Sequence, residues 1–188
     1  PRTGQDVVLL LPRVVPAGEA NADRWLQRAR KAARLDHPRL APALEVGLHE
    51  GWPYVTYELG ERATLADRVG RQGLAADEAA TLTGQLLHAL AYAHDAGVAQ
   101  RDLQAFSVLV SDKGVPRLMG LEVACIEGEA HEVTEAPMLQ AQREAAEGDI
   151  VQVGVLMHLL LTGQPALDEP DTRTVVERLP PHGRDIVR

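Results

Sequence analysis

Gln100-Arg101-Asp102-Leu103-Gln104-Ala105-Phe106-Ser107-Val108-Leu109-Val110 is the stretch on which the reading of this chain turns. It opens with an arginine–aspartate pair and closes on an apolar β-type run. Upstream, Asp77 to Ala96 predicts a long helix with Leu82, Leu86, Leu90 and Ala93 on one face, ended by Gly97 at the C′ position. Downstream, Val108–Val110 and Val115–Leu118 flank Ser111-Asp112-Lys113-Gly114, the pattern of a hairpin. Further on, a polar and acidic stretch from Glu127 to Glu147 reads as irregular. Asp149 then opens an apolar helix, Ile150 to Leu161, closed by Thr162-Gly163. Being apolar nearly all round, that helix is expected at the centre of a folded unit.

The other direction is richer in strands. Thr64 opens a short helix, Leu65 to Val69. Ala43–Leu48 and Pro53–Leu59 read as strands joined by a hairpin-like turn, His49-Glu50-Gly51-Trp52. Asn21 to Leu35 predicts a helix with Asn21 as N-cap, Asp23 in its first turn and Lys31 and Arg34 near its end. Asp6 to Leu11 is a short strand stopped by Pro12. Strands first and helices afterwards imply an α+β protein: a small sheet lobe over residues 1–59 and a larger helical lobe over residues 60–188, with two short helices among residues 164–188.

Bulk composition narrows the function. The 188 residues are 45% hydrophobic, 24% charged and only 3% aromatic, so the core must be built from Leu, Val and Ala. A net charge of −8 argues against a nucleic-acid partner, which would demand a basic face. The single cysteine, Cys125, forms no internal disulfide and fits a reducing, cytoplasmic setting. The longest apolar run, Val153 to Leu161, falls short of the ~20 residues of a bilayer span, so no direct membrane insertion is expected; a membrane tether outside the chain is compatible with this.

The segment from Gln100 to Val110 resembles the catalytic loop of protein kinases, H-R-D-L-x-x-x-N. Asp149-Ile150-Val151-Gln152-Val153-Gly154 running into Leu160-Leu161-Thr162-Gly163 resembles the buried central helix of bacterial serine/threonine kinases. Leu35-Asp36-His37-Pro38 is similar to the step after their regulatory helix, and Pro53–Leu59 to the strand entering their hinge. The order of these pieces is that of the family, which implies a two-lobed kinase-like fold with a truncated sheet lobe.

Set against that resemblance, the chemistry is depleted. Phosphoryl transfer depends on positioned charges: a strand lysine paired with a helix glutamate, two metal ligands, and an aspartate that orients the attacking hydroxyl. Leu10 stands at the lysine position and Arg28 at that of its glutamate partner. Gln100 replaces the loop histidine, Gln104 the loop lysine and Ser107 the metal-binding asparagine. Gly120 replaces the metal aspartate of D-F-G, with Glu122 two residues on. Tyr57 and Glu58 fall at the gatekeeper and hinge. Ala136-Pro137-Met138 stands where A-P-E is expected, after an acidic segment whose one hydroxyl residue is Thr134. Arg101 and Asp102 are retained, and Asp149 matches an aspartate that orders the catalytic loop. The resemblance therefore implies a degenerate member, a pseudokinase acting as a regulatory or protein-binding scaffold, with ATP and magnesium binding weak or absent, no metal site, and a protein as partner. The competing expectation is an atypical phosphotransferase using Asp102 with Glu122 and Ser107 as unusual metal ligands. A small-molecule phosphotransferase of the same fold ranks lower, because it too requires an aspartate at Gly120.

Overall fold

The computed structural model describes residues 4, 6–59, 63–123 and 135–166, with the backbone alone for 135–138. In chain order the elements are β1 (Val7–Leu10), α1 (Glu19–Ala32), β2 (Ala43–His49), β3 (Trp52–Glu58), β4 (Ala63–Thr64), α2 (Leu65–Arg68), α3 (Ala76–Asp95), a 3-10 turn (Ala105–Ser107), β5 (Val108–Val110), β6 (Pro116–Leu118) and α4 (Glu135–Thr162).

Two three-stranded antiparallel sheets carry the architecture. The first has the order β1-β3-β2, pairing Leu10 with Val55 and Val7 with Glu58. The turn at Glu50-Gly51 takes positive φ at both residues, as a tight hairpin that follows strand twist requires. α1 lies against this sheet and buries Trp25 and Ala29, which join Val55, Tyr57, Leu109 and Met119 in one apolar cluster. The second sheet, β4-β5-β6, sits under the first. Its Val108 and Leu118 belong to a larger cluster with Leu82, Leu86 and Leu90 of α3 and Val153, Leu156 and Leu160 of α4. Leu109 points into the upper cluster while Val108 and Val110 point into the lower one, as the alternation of a strand dictates. β5 is thus the seam between the two cores.

Several expectations need correction at this level. α1 starts at Glu19 and ends at Ala32, and its N-cap is Gly18. Asn21 lies inside the first turn and donates to the Ala17 carbonyl (2.9 Å) instead of capping. The stretch ending at Glu147 is not irregular throughout. From Glu135 it is helical and continuous with the apolar segment, so Asp149 lies inside α4 instead of opening it. Helix formers explain the continuity: Ala141, Ala145 and Ala146 fill the extension, and Gln140 donates to Glu144 one turn on (2.8 Å). Nor is α4 buried all round. Val153, Leu156, Leu160 and Leu161 are buried, whereas Ile150, Val151 and Val155 are exposed. By length and hydropathy Leu139–Thr162 passes as a membrane span, but the buried Asp149 within it and its packing on α3 identify it as a core helix. The short helix α2 matches expectation: Thr64 accepts from the Asp67 amide, and Asp67 accepts in return from the Thr64 amide. The acidic segment with Thr134, and the two helices expected among residues 164–188, lie outside the described residues apart from 164–166.

Candidate functional site

The loop Gln100–Gln104 is held from below by α4. Asp149, fully buried, accepts hydrogen bonds from the amides of Gln100 (2.8 Å) and Arg101 (2.6 Å), and its Oδ2 also meets His94 Nε2 at 2.7 Å. One turn along the same helix face, Gln152 accepts from the Leu103 amide (2.5 Å) and donates to the Arg101 carbonyl (2.8 Å). These clamps hold Arg101 at φ 64°, a left-handed conformation unfavourable for a side chain with a Cβ. Strain of that kind persists only where the surroundings over-determine it. Sequence reasoning assigned Asp149 to this task and missed Gln152, although a polar residue three positions on in an apolar helix is a readable signal.

Within the loop, each polar replacement has a local partner. Gln100 is buried; its Oε1 accepts from the Asp102 amide (2.8 Å) and its Nε2 donates to the Met119 carbonyl (3.4 Å), tying the loop to β6. Ser107 Oγ donates to the Gln104 carbonyl (2.7 Å) and accepts from the Gln104 amide (3.1 Å), closing the 3-10 turn. Its proton and one of its two lone pairs are therefore used inside the turn. Asp102 Oδ2 is gripped by Arg13, with Nε at 3.0 Å and a terminal nitrogen at 2.8 Å, and Oδ1 accepts from Gln104 Nε2 (3.2 Å). Arg13 follows β1 and was not singled out in the sequence. It lies 89 positions from Asp102, and no local pattern links them.

The other carboxylate behaves differently. Glu122, the unusual metal ligand of the competing expectation, is 4% exposed and accepts a hydrogen bond from the Tyr57 hydroxyl. Tyr57 in turn accepts from the Gly120 amide (3.0 Å). Burial raises the Glu122 pKa, with the Tyr57 hydrogen bond opposing the shift. Desolvation, reinforced by the Glu122 charge, holds the Tyr57 phenol well above its usual range. Gly120 adopts φ 94°, and a Cβ there would stand 3.2 Å from Gln100 Nε2 and 3.6 Å from Leu10 Cδ1. A glycine at this position lets Gln100 and Leu10 close over the turn.

The residues read from the sequence thus separate into two places. Leu10, Gln100, Arg101, Asp102, Ser107 and Gly120 line a cleft of about 640 Å³ between the end of β1 with its following loop and the loop at Gln100–Asp102, joined by Arg13, Trp25 and Phe106. Tyr57 and Glu122 are buried beside it and do not line it. Arg28 and Glu58 are absent from the lining; Arg28 is half-buried on α1 and Glu58 is exposed at the end of β3. Trp25, three residues before Arg28, is the α1 side chain that borders the cleft. Among the described residues no group of three or more His, Cys, Asp or Glu side chains converges.

Comparison with known proteins bears on this geometry. No protein-family model matches the chain. It is 28% identical over 158 residues to a probable serine/threonine-protein kinase PknB of Lactococcus lactis, covering 77% of this chain and 25% of that protein. It is 26% identical over 159 residues to CBL-interacting serine/threonine-protein kinase 9 of Arabidopsis thaliana, covering 77% and 36%. The chain therefore spans about a quarter to a third of the curated relatives it matches. Among solved structures, the PknI kinase domain of Mycobacterium tuberculosis, in a double-mutant form, superposes with a TM-score of 0.66 at 21% identity, covering 88% of this chain and 67% of that one. The chain is homologous to bacterial serine/threonine protein kinases and has the α+β protein-kinase fold, with a small sheet lobe and a helical lobe.

Proposed function

We propose that this kinase-like domain does not transfer phosphate and serves instead as a regulatory, protein-binding module. The observation that carries the reading is the disposition of its two carboxylates nearest the cleft. Asp102, the retained loop aspartate, is paired with Arg13, and Glu122 is buried against Tyr57. A metal or an incoming hydroxyl would have to compete with Arg13 for Asp102 and with Tyr57 for Glu122. Ser107 donates its proton within its own turn, and Leu10 offers an apolar surface where a phosphate-gripping cation is needed. This donor set does not suit a magnesium–nucleotide complex, and no step of phosphoryl transfer is derived from it.

What is maintained is the scaffold. Asp149, His94 and Gln152 hold the loop in a strained conformation that serves no reaction here, and two apolar cores meet at β5. A scaffold kept while its chemistry is lost suits a domain read by a protein partner in a cytoplasmic setting. The fold itself is compatible with many functions, so the assignment rests on the site. The rival reading, an atypical phosphotransferase with Asp102, Glu122 and Ser107 as metal ligands, requires all three to leave their present partners.

The test is thermal unfolding of the chain with millimolar ATP, with and without magnesium or manganese, alongside transfer of labelled γ-phosphate to a generic acceptor protein. A ligand at ~100 times its Kd stabilises a fold by about 2.7 kcal/mol, a readily measured shift. No shift and no transfer are expected. A metal-dependent shift accompanied by transfer sinks the proposal and revives the rival.

A further inference from the structure

The geometry points to the cleft as a binding site for a small amphipathic monoanion: a compact apolar or aromatic body carrying one carboxylate or sulfonate-type head, anchored by Arg13. The inference goes beyond the regulatory reading and rests on it only in that the cleft is not reserved for a nucleotide.

Three observations meet here. The first is exposed apolar surface. Leu11, Val14 and Phe106 line the cleft and are 49%, 65% and 49% exposed. Large apolar side chains gathered at one opening, with the buried Trp25 behind them, form the kind of surface that soluble proteins retain for a ligand. The cleft volume, about 640 Å³, lies within the range of small-molecule sites.

The second is charge. Among the described residues, the ionisable side chains lining the cleft are Arg13, Arg101 and Asp102, on a chain whose net charge is −8. The Arg13 side chain is 77% accessible, and its contacts with Asp102 use Nε and one terminal nitrogen on a single carboxylate oxygen. A guanidinium has five N–H donors in a planar fork, so Arg13 has the capacity to meet a second oxyanion beside Asp102 or in its place. Asp102 is then a competitor for the ligand's anchor, the opposite of its role in a phosphotransferase.

The third is what the cleft omits. Among the described residues, none of its lining belongs to β3, the strand that carries Tyr57 and Glu58, which the family resemblance places at the gatekeeper and hinge. Its described lining comes from the end of β1, the following loop, Trp25 and the loop at Gln100–Asp102.

The probe is 8-anilinonaphthalene-1-sulfonate, an aromatic monoanion, compared with uncharged N-phenyl-1-naphthylamine, by fluorescence titration of the chain. Saturable one-to-one binding of the sulfonate is expected. Arg13→Gln should weaken it by about tenfold, equivalent to about 1.4 kcal/mol, and leave the weaker binding of the amine unchanged. Asp102→Asn should tighten sulfonate binding several-fold by releasing Arg13. Phe106→Ala should weaken both probes. Melting curves of each variant establish that it is folded. Sulfonate binding that is absent, indifferent to Arg13→Gln, or matched by the amine overturns the proposal, as does displacement of the sulfonate by magnesium–ATP. Phosphate transfer with the sulfonate still bound at Arg13 would instead overturn the regulatory reading alone.

Discussion

The Tyr57 hydroxyl donates a hydrogen bond to the Glu122 carboxylate across 65 positions of sequence, joining β3 of the upper sheet to the turn that follows β6 of the lower one. Because Tyr57 also accepts from the Gly120 amide, a single phenol satisfies a buried acid and a buried N–H. Tyr57→Phe removes both partners at once. An unsatisfied buried polar group costs about 1–3 kcal/mol, so a loss of at least that order is expected in urea unfolding, with little change in the overall fold.

The same pair sets a pH dependence. The Glu122 pKa is raised in the folded state, chiefly by burial. The folded chain therefore binds this proton more tightly than the unfolded one does. The group's contribution is most favourable below the ordinary glutamate value of 4.5, falls as pH rises from there to the raised folded value, and is constant above it. Glu122→Gln keeps an acceptor for Tyr57 and carries no charge. It should match the parent at acid pH and exceed it in stability at neutral pH. Unfolding free energies across this range check the sign; a variant that is less stable at neutral than at acid pH, relative to the parent, contradicts it.

Restoring the missing metal aspartate should fail. Gly120 sits at φ 94°, and a Cβ there would lie 3.2 Å from Gln100 Nε2 and 3.6 Å from Leu10 Cδ1. Gly120→Asp meets a backbone penalty of about 1–2 kcal/mol before any crowding is counted. The expected outcome is a lower melting temperature and no gain of transfer activity in Gly120→Asp, alone or combined with Leu10→Lys. Recovery of transfer by the double variant would show the cleft to be closer to a working site than its hydrogen bonds imply.

The clamp beneath the loop is the most consequential point for stability. Asp149→Ala leaves two loop amides, the buried one of Gln100 and the part-buried one of Arg101, without their acceptors. At about 1–3 kcal/mol for each such group, the loss is severe for a domain of this size. Gln152→Ala removes two further bonds to the same loop and should cost less, because Gln152 is only partly buried. Since both side chains hold Arg101 in its left-handed conformation, the losses should not add. A double-mutant cycle by chemical denaturation measures this, and strict additivity would mean that the two clamps act independently.

The sequence by itself determined the kinds of elements and their order, and which residues stand at the positions of the kinase motifs it resembles. The helix expected from Asp77 to Ala96, the short helix opened by Thr64, the strand expected at Pro53–Leu59 and the residues Leu10, Ser107 and Gly120 are all local facts, written in residues a few positions apart. The loop aspartate and Asp149 were also legible, through the spacing of known motifs. The tertiary structure alone decided where the surviving polar groups are spent. Arg13 meets Asp102 over 89 positions, Tyr57 meets Glu122 over 65, and Gln152 reaches Arg101 over 51. Such pairings arise because the cores above and below β5 bring distant segments to one seam, where buried groups must find partners or pay for desolvation. No local pattern encodes that meeting. For the same reason the one-sided burial of α4 was unreadable: an apolar run records that a helix has buried neighbours, and only packing decides which of its faces they cover.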